Sequence, residues 1–315
     1  MEENKMAVTA KMVKELREMS GAGMMDCKKA LTETDGDMDK AVEYLRENGI
    51  MKAAKKADRI AAEGLCKVLV SEDEKKAVVV EVNAETDFVA KNEKFQSYVA
   101  QVAEQAMDTT AADIDAFLEE GWKFEEGKTV KEAIAGQIAV IGENMNIRRF
   151  EQVTEADGFV ASYTHMGGKI GVLVDVVTDV VNDAVKEMAK NVAMQIAAIK
   201  PLHTSRAEVP ADYIEKETEI LTAAAKLEKP DANDKIINGM VMGRVNKELK
   251  EICLLDQVYV KAEDGKQSVG KYVEQVAKDN SANITIKGFV RFETGEGIEK
   301  KNEDFAAEVA AQMNK

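Results

Sequence analysis

The chain has 315 residues, 43 basic and 58 acidic, for a net charge of −15, with 45% apolar and 5% aromatic side chains. That length suits roughly two domains with a sizeable core. A chain this acidic is a poor match for phosphate backbones or anionic lipid without a local basic face, so neither nucleic acid nor membrane is expected, and a protein partner is. No apolar run approaches the ~18 residues of a membrane span, and Met1–Met12 lacks the apolar centre of a secretory signal, so a cytoplasmic protein is expected.

Residues 1–57 read as a compact three-helix domain. Met12, Val13, Leu16 and Met19 recur at helical spacing and stop at Gly21 and Gly23. A short second helix carries Ala30 and Leu31 and stops near Gly36. A third carries Met38, Ala41, Val42 and Leu45 and is predicted to stop at Gly49, with a solvated helical linker over 52–59. This domain has 11 basic and 11 acidic residues, so the whole excess of negative charge belongs to residues 58–315.

An internal repeat follows at an offset of 94 residues. Gly64 opens a strand over 65–70, a polar turn, a second strand over 77–83, and a helix with Phe95, Val99, Val102 and Ala106 on one face. Gly158 opens the same order: a strand over 159–164, a turn over 165–169, a strand over 170–177, and a helix with Val185, Met188, Val192 and Ile196. Val78, Val80 and Val82 correspond to Val172, Val174 and Val176, a period of two that predicts sheets covered on one face. Further strands at 146–153 and 284–293 can widen the sheets, with pairing left open. The fold class is therefore α+β: a core N-subdomain over 58–150 and a core C-subdomain over 151–300.

Pro201, Pro210 and Pro230 bracket an insertion in the second subdomain. Across 210–255, Tyr213, Ile214, Ile220 and Leu221, then Ile236, Ile237, Met240, Val241, Val245 and Leu249, predict a helical hairpin. Its apolar stripe must be covered, either by the core or by a second copy in a homodimer. Phe305, Val309 and Met313 mark a short C-terminal amphipathic helix within 301–315.

Material for side-chain catalysis is scarce. Cys27, Cys66 and Cys253 form no CxxC pair, and only His165 and His203 are present, without HExxH or GxSxG. Gly21–Asp26 starts like a dinucleotide fingerprint but lacks its third glycine and the preceding strand. Asp35, Asp37 and Asp39 alternate like calcium ligands, yet Lys40 and Arg46 stand where the loop needs glycine and glutamate; the carboxylates fit a helix start instead. Gly167-Gly168-Lys169 lacks the leading glycine of a phosphate loop. Neither an enzyme nor a cofactor is expected.

The repeat breaks where the second strand hands over to the helix. The first copy reads Asn83-Ala84-Glu85-Thr86-Asp87-Phe88-Val89-Ala90, the second Val177-Thr178-Asp179-Val180-Val181-Asn182-Asp183-Ala184. An aromatic beside a carboxylate at such a turn either folds back on the helix or stands out as a wedge with a polar guide.

Thr86-Asp87-Phe88-Val89, set within Glu81–Lys91, resembles the hallmark of the bacterial translation elongation factor Ts family. Ser20–Leu31, Ile141–Arg149, His165–Val174 and Gly288–Glu299 are similar to other stretches of that family, collinear from first helix to last. The resemblance implies an exchange factor for elongation factor Tu, in its GDP-bound and nucleotide-free forms, with a UBA-like N-terminal domain. It implies that Thr86, Asp87, Phe88 and Val89 form a wedge that displaces the magnesium ion bridging GDP to the partner. It further implies partner contacts at Leu16, Arg17, Met24, Met25 and Lys28, at Ile141 and Gly142, and at His165. Val260 and Lys261 stand where a relative can have two apolar residues, and Lys261 departs from that pattern. A reading from another class is a non-catalytic scaffold in which the UBA-like domain alone binds a partner helix and Asp87 and Phe88 are dispensable.

Overall fold

The computed structural model describes residues 8–299, and the amphipathic segment expected within 301–315 lies outside the described residues. The chain divides into two compact units. One holds the chain up to Lys67, Val80–Phe150 and the stretch from Glu293 on; the other holds Val68–Val79 and Glu151–Phe292. Among the described residues no helix is long and apolar enough to cross a membrane.

The first unit begins with three helices: α1 (Ala10–Ser20), α2 (Met24–Glu33) and α3 (Met38–Ala54). Thr9 caps α1 by accepting from the Met12 N–H, and Gly21 ends it in the left-handed region at φ 66°. Asp37 caps α3, accepting from the Lys40 N–H at 3.1 Å, so the alternating aspartates serve a helix start. Val13, Leu16, Cys27, Ala30, Leu31 and Ala41 form the core of the bundle.

Helix α3 does not stop at Gly49 but runs on to Ala54. Gly49 faces α7 (Val130–Ile141), where a Cβ would sit 3.7 Å from the Ala139 Cβ and 3.8 Å from the Ala135 carbonyl. Packing of α3 on α7 carries the helix past a glycine that costs ~1 kcal/mol in a helix interior, although a Cβ there would meet only ordinary van der Waals contacts. Arg46 of α3 reinforces it by donating to Glu132 of α7 at 2.6 Å. Glu132 also closes a capping box with Thr129, whose backbone N–H, followed by Arg46, holds the Glu132 carboxyl below its ordinary pKa.

Two three-stranded antiparallel sheets carry the repeat. The first has the order β1 (Glu63–Val70), β2 (Lys76–Ala84), β3 (Met145–Thr154); the second has the order β4 (Gly158–His165), β5 (Ile170–Thr178), β6 (Ile284–Glu293). Both copies need glycine at the same register. A Cβ on Gly64 would lie 2.1 Å from the Val82 carbonyl oxygen, and one on Gly158 would lie 1.8 Å from that of Val176. Glycine thus opens each first strand because the neighbouring backbone fills the side-chain position.

The sheets are not covered on one face only. Strand β2 is buried from Ala77 to Ala84 and β5 from Ile170 to Val176. The polar positions between the valines lie inside, compensated by charge. Glu81, fully buried, accepts from Arg148 at 3.1 Å, Arg149 at 2.6 Å, Asn83 at 3.0 Å and the Gly295 N–H at 2.8 Å. Its counterpart at the 94-residue offset is Asp175, 3.5 Å from Lys287, which also pairs with Glu155 at 2.8 Å. With one cation shared by two carboxylates, burial and then Glu155 push the Asp175 carboxyl up to about 6.

Helix α8 (Asp183–Ile199) packs Val185, Met188, Val192 and Ile196 against Phe159, Val172, Val174 and Val176, joined by Leu254, Tyr259, Ile286, and Val269 and Val273 of α11 (Val269–Asp279). The expected hairpin is α9 (Ala211–Glu228) and α10 (Asp234–Ile252). Much of its stripe is covered within the hairpin, where Ile237, Val241, Val245 and Leu249 enclose Ala225 with Tyr213, Ile214 and Leu221 against them, while Ile220 and Ile236 stay exposed.

The backbone carbonyl facing Gly158 belongs to a paired strand and cannot yield. Gly158→Ala should therefore cost about 2–4 kcal/mol in guanidinium unfolding; a loss below about 0.5 kcal/mol would show that the strands part freely. For Asp175, a native pKa above the unfolded value means that the folded state holds the proton more tightly. Its contribution to stability then falls as pH rises from about 4 to about 6 and stays lower above that range. Asp175→Asn should stabilise the protein by about 1–3 kcal/mol at pH 7.5 and by much less near pH 4. Unfolding measured at both pH values checks the sign.

Candidate functional site

The break in the repeat is a short helix present in one copy only. Between strands the repeat keeps its offset of 94 residues, with Glu81 and Val82 matching Asp175 and Val176. Between the helices the offset is 90: Asn92 and Asn182 are the N-caps of α5 (Glu93–Asp108) and α8, and Phe95, Val102 and Gln105 match Val185, Val192 and Gln195. The first copy has therefore gained four residues, and the gain appears as the four-residue helix α4 (Asp87–Ala90).

Helix α4 is anchored on one side and open on the other. Thr86 caps it, its hydroxyl accepting from the Val89 N–H at 3.3 Å. Val89 and Ala90 are buried and root the turn. Phe88 points the opposite way and is 81% exposed, which settles between the two orientations open to it in sequence: it does not fold back on the helix. Beside it, the Asp87 carboxylate accepts from Lys91 at 2.6 Å, and the same ammonium lies 6.0 Å from the Phe88 ring centroid.

The turn after α7 is cross-linked to the base of α4. Glu143 accepts from both the N–H of Thr86, at 3.0 Å, and its hydroxyl, at 2.7 Å. The Asn144 N–H donates to Glu85 at 2.5 Å, while the Asn144 side chain donates to the carbonyls of Ala57 and Arg59 at 3.3 and 2.7 Å. Lys56 donates to the Gly142 carbonyl, and Arg59 pairs with Glu85 at 3.4 Å. Ile141, half-buried, closes α7, and Gly142, at φ 92°, caps it. Ile141 and Gly142 are thus brought next to Thr86–Val89 through Glu143. Sequence reading gave no role to Glu143, Asn144, Glu85 or Arg59. Glu143 and Asn144 sit inside the quoted Ile141–Arg149 stretch, but hydrogen bonds spanning more than fifty residues leave no periodic trace.

In the three-helix domain, Met24 and Met25 at the start of α2 are 55% and 74% exposed, and Met19 joins them at 61%. Arg17 and Lys28 are exposed near them in sequence, on α1 and α2. Leu16 is fully buried in the domain core, so it supports the surface that Arg17 displays and does not itself reach it. The loop between α1 and α2 is fixed from beneath: the Ser20 hydroxyl donates to the Leu16 carbonyl at 2.6 Å and accepts from the Ala22 N–H at 3.3 Å. An apolar, flexible pair on a rigid loop, flanked by cations, is suited to an adaptable protein contact.

His165 lies in the second unit, at the end of β4 and paired in register with Ile170 of β5. Its Nδ1 is 2.9 Å from the Tyr163 hydroxyl, which orients the ring. The turn beyond it takes three left-handed residues in succession, Met166, Gly167 and Gly168 at φ 49°, 65° and 103°, and leaves Met166 exposed. Val260 and Lys261 are also exposed, with the Lys261 ammonium donating to Asn191 at 2.7 Å.

Comparison with known proteins places these features in a family. The family model described as Elongation factor TS matches residues 85–296, a span that opens at the base of α4. Elongation factor Ts of Clostridium tetani (strain Massachusetts / E88) is 52% identical over 307 residues, 97% of this chain and 99% of the relative. That of Clostridium novyi (strain NT) is 52% identical over 308 residues, 98% of this chain and 99% of the relative. That of Clostridium botulinum (strain ATCC 19397 / Type A) is 49% identical over 308 residues, with the same coverage of both chains. A half-identical match carried from end to end includes the three-helix domain as well as the sheets, and the chain belongs to the elongation factor Ts family of translation elongation factors.

Proposed function

We propose that this chain is a guanine-nucleotide exchange factor that binds elongation factor Tu with GDP, promotes GDP release, and stays bound until GTP enters. The observation that carries this reading is Phe88, a phenylalanine kept 81% exposed on a four-residue helix that the sister repeat lacks. Exposure of so large an apolar side chain is a standing cost that a partner's cleft removes; full burial of a phenylalanine contributes roughly 1.5–3 kcal/mol. Inserted between helices of the GTP-binding domain of elongation factor Tu, Phe88 would shift their packing, with Asp87 beside it as an anionic guide. Displacing the magnesium ion that bridges GDP to that domain leaves the diphosphate charge uncompensated, and the nucleotide departs. No side chain of the factor takes part in bond chemistry, and the factor contributes no cofactor.

The three-helix domain supplies a separate grip. Met24 and Met25, with Arg17 and Lys28, form a docking surface for a helix of the same GTP-binding domain, and Ile141 and Gly142 add a contact beside the wedge. His165, held by Tyr163, is a contact from the second unit. The site of action is the cytoplasm, where translation takes place.

Stopped-flow release of a fluorescent GDP from elongation factor Tu tests the wedge. The unmodified chain should accelerate release, and Phe88→Ala should lower the saturating rate at least about tenfold. Undiminished acceleration by Phe88→Ala would falsify the wedge role. The docking surface has a different kinetic signature: changing Met24 and Met25 together to serine should raise the concentration for half-maximal acceleration about tenfold at an unchanged saturating rate. A fall in the saturating rate instead would place the methionines in the exchange step.

A further inference from the structure

We infer that Glu143 is the positioning residue of the wedge: its carboxylate, gripping the Thr86 N–H and hydroxyl together, fixes the base of α4 and thereby aims Phe88 outward. The inference rests on the exchange reading and deepens it by naming the group that keeps the wedge productive.

Four observations support it. An isolated four-residue helix has too few internal hydrogen bonds to hold itself together, so its geometry must be imposed from outside. Thr86 is the cap that sets where the helix begins, its hydroxyl accepting from the Val89 N–H through one lone pair while its proton remains free to rotate unless a second partner takes it. Glu143 takes that proton at 2.7 Å, so the Glu143–Thr86–Val89 chain fixes the hydroxyl rotor as well as the backbone. Glu143 then takes the Thr86 N–H at 3.0 Å, a charge-assisted two-point grip on one residue.

The second observation is what the grip opposes. Without it, a phenylalanine this exposed would gain by rotating back over the apolar residues of its own subdomain. The third is the mounting of Glu143 itself: it stands between Gly142, the left-handed cap of α7, and Asn144, which binds Glu85 one residue before Thr86. The carboxylate thus projects from a fixed turn onto a second fixed strand end. The fourth is the sister repeat, where the second strand leads to α8 without the extra four residues and Thr178 turns its hydroxyl to the local Val180 carbonyl at 3.0 Å. There the long-range lock falls on Asp179, which accepts from the Asn283 N–H at 2.8 Å and side chain at 2.6 Å and holds no helix cap; in the first copy a carboxylate fifty-seven residues away grips the cap of α4 itself.

Glu143 grips the base of the helix that carries Phe88, so a role in aiming Phe88 gives a test that a general loss of stability, or a loss of the Ile141–Gly142 contact, would not satisfy. In the stopped-flow assay, Glu143→Ala should lower the saturating rate about five- to tenfold with the half-maximal concentration unchanged. Glu143→Gln, which keeps one acceptor and the side-chain shape, should fall between it and the unmodified chain. Added to Phe88→Ala, Glu143→Ala should change nothing further. An unaltered rate for Glu143→Ala, or an equal loss in both backgrounds, overturns the inference. A second measurement does not depend on the GTPase. Amide hydrogen exchange at Val89 and Ala90 in the free full-length chain should quicken about tenfold in Glu143→Ala, while amides of α8 in the other unit stay unchanged. Unchanged exchange at Val89 and Ala90 overturns the positioning role whatever the release assay gives. If those amides do quicken but Phe88→Ala accelerates GDP release as fully as the unmodified chain, the wedge reading fails and the positioning of α4 stands.

Discussion

A phenylalanine held in water is the constraint around which the first unit is organised. The hydrophobic effect acts to fold Phe88 back, and the turn that bears it is too short to resist alone. The resistance is therefore distributed: Val89 and Ala90 are buried as roots, Thr86 caps the turn, and the α7–β3 turn grips Thr86 and Glu85 from the side. That second turn can do so because α7 is itself fixed, by its capping box and by packing against α3 at Gly49. The linker leaving α3 joins the same cluster through Lys56, Ala57 and Arg59. The docking domain and the wedge are thus tied to one turn.

The repeat explains why such a device can be added without rebuilding the fold. Both sheets use glycine where the first strand meets its neighbour's carbonyl, and both bury a carboxylate at the same register of the central strand. In the first sheet Glu81 is met by two arginines and a backbone N–H, so its charge is fully compensated. In the second, Lys287 serves Asp175 and Glu155 together, and burial, followed by the neighbouring Glu155, raises the pKa of Asp175. The scaffold that carries the wedge is the better compensated of the two, and the four-residue insertion falls just past its central strand.

Much of this architecture was legible in the sequence, for identifiable reasons. Alternating valines mark β2 and β5 and the repeat groups them into hairpins with β1 and β4, while β3 and β6 are legible as strands and their pairing is not. Periodicity failed where tertiary packing decided. Gly49 looked like a stop and is a contact point; the polar positions of β2 and β5 looked solvent-facing and are buried in ion networks. Helices α6 (Ile114–Glu119), α7 and α11 are absent from the expected elements, although Thr129-x-x-Glu132 is a capping signature that marks the start of α7. The hairpin's helices bury much of their stripe against each other, which spacing alone does not reveal, and leave Ile220 and Ile236 exposed. At the site, the failure of the repeat pointed to Asp87 and Phe88, and resemblance gave them a function. The grip of Glu143 on Thr86 was invisible because it joins residues fifty-seven apart without any pattern.

Magnitudes constrain how a wedge of this kind can work. Burial of one phenylalanine, roughly 1.5–3 kcal/mol, corresponds to about ten- to a hundredfold in a rate or equilibrium. It gives acceleration only to the extent that the burial is realised in the state from which nucleotide leaves; burial shared equally with the GDP-bound complex tightens docking and leaves release unchanged. The division of apolar exposure matches this requirement. In the proposed role, exposed methionines on the neutral three-helix domain would supply affinity indifferent to nucleotide, while the aromatic on α4 would supply the differential part. Under the proposed exchange role, reciprocity would follow: the factor by which Phe88 loosened nucleotide would be the factor by which bound nucleotide loosened Phe88, and GTP entry would release the chain with no additional device. A rigid base for α4 serves the same end, since a Phe88 free to fold home would lose part of that differential energy to its own subdomain before reaching the partner.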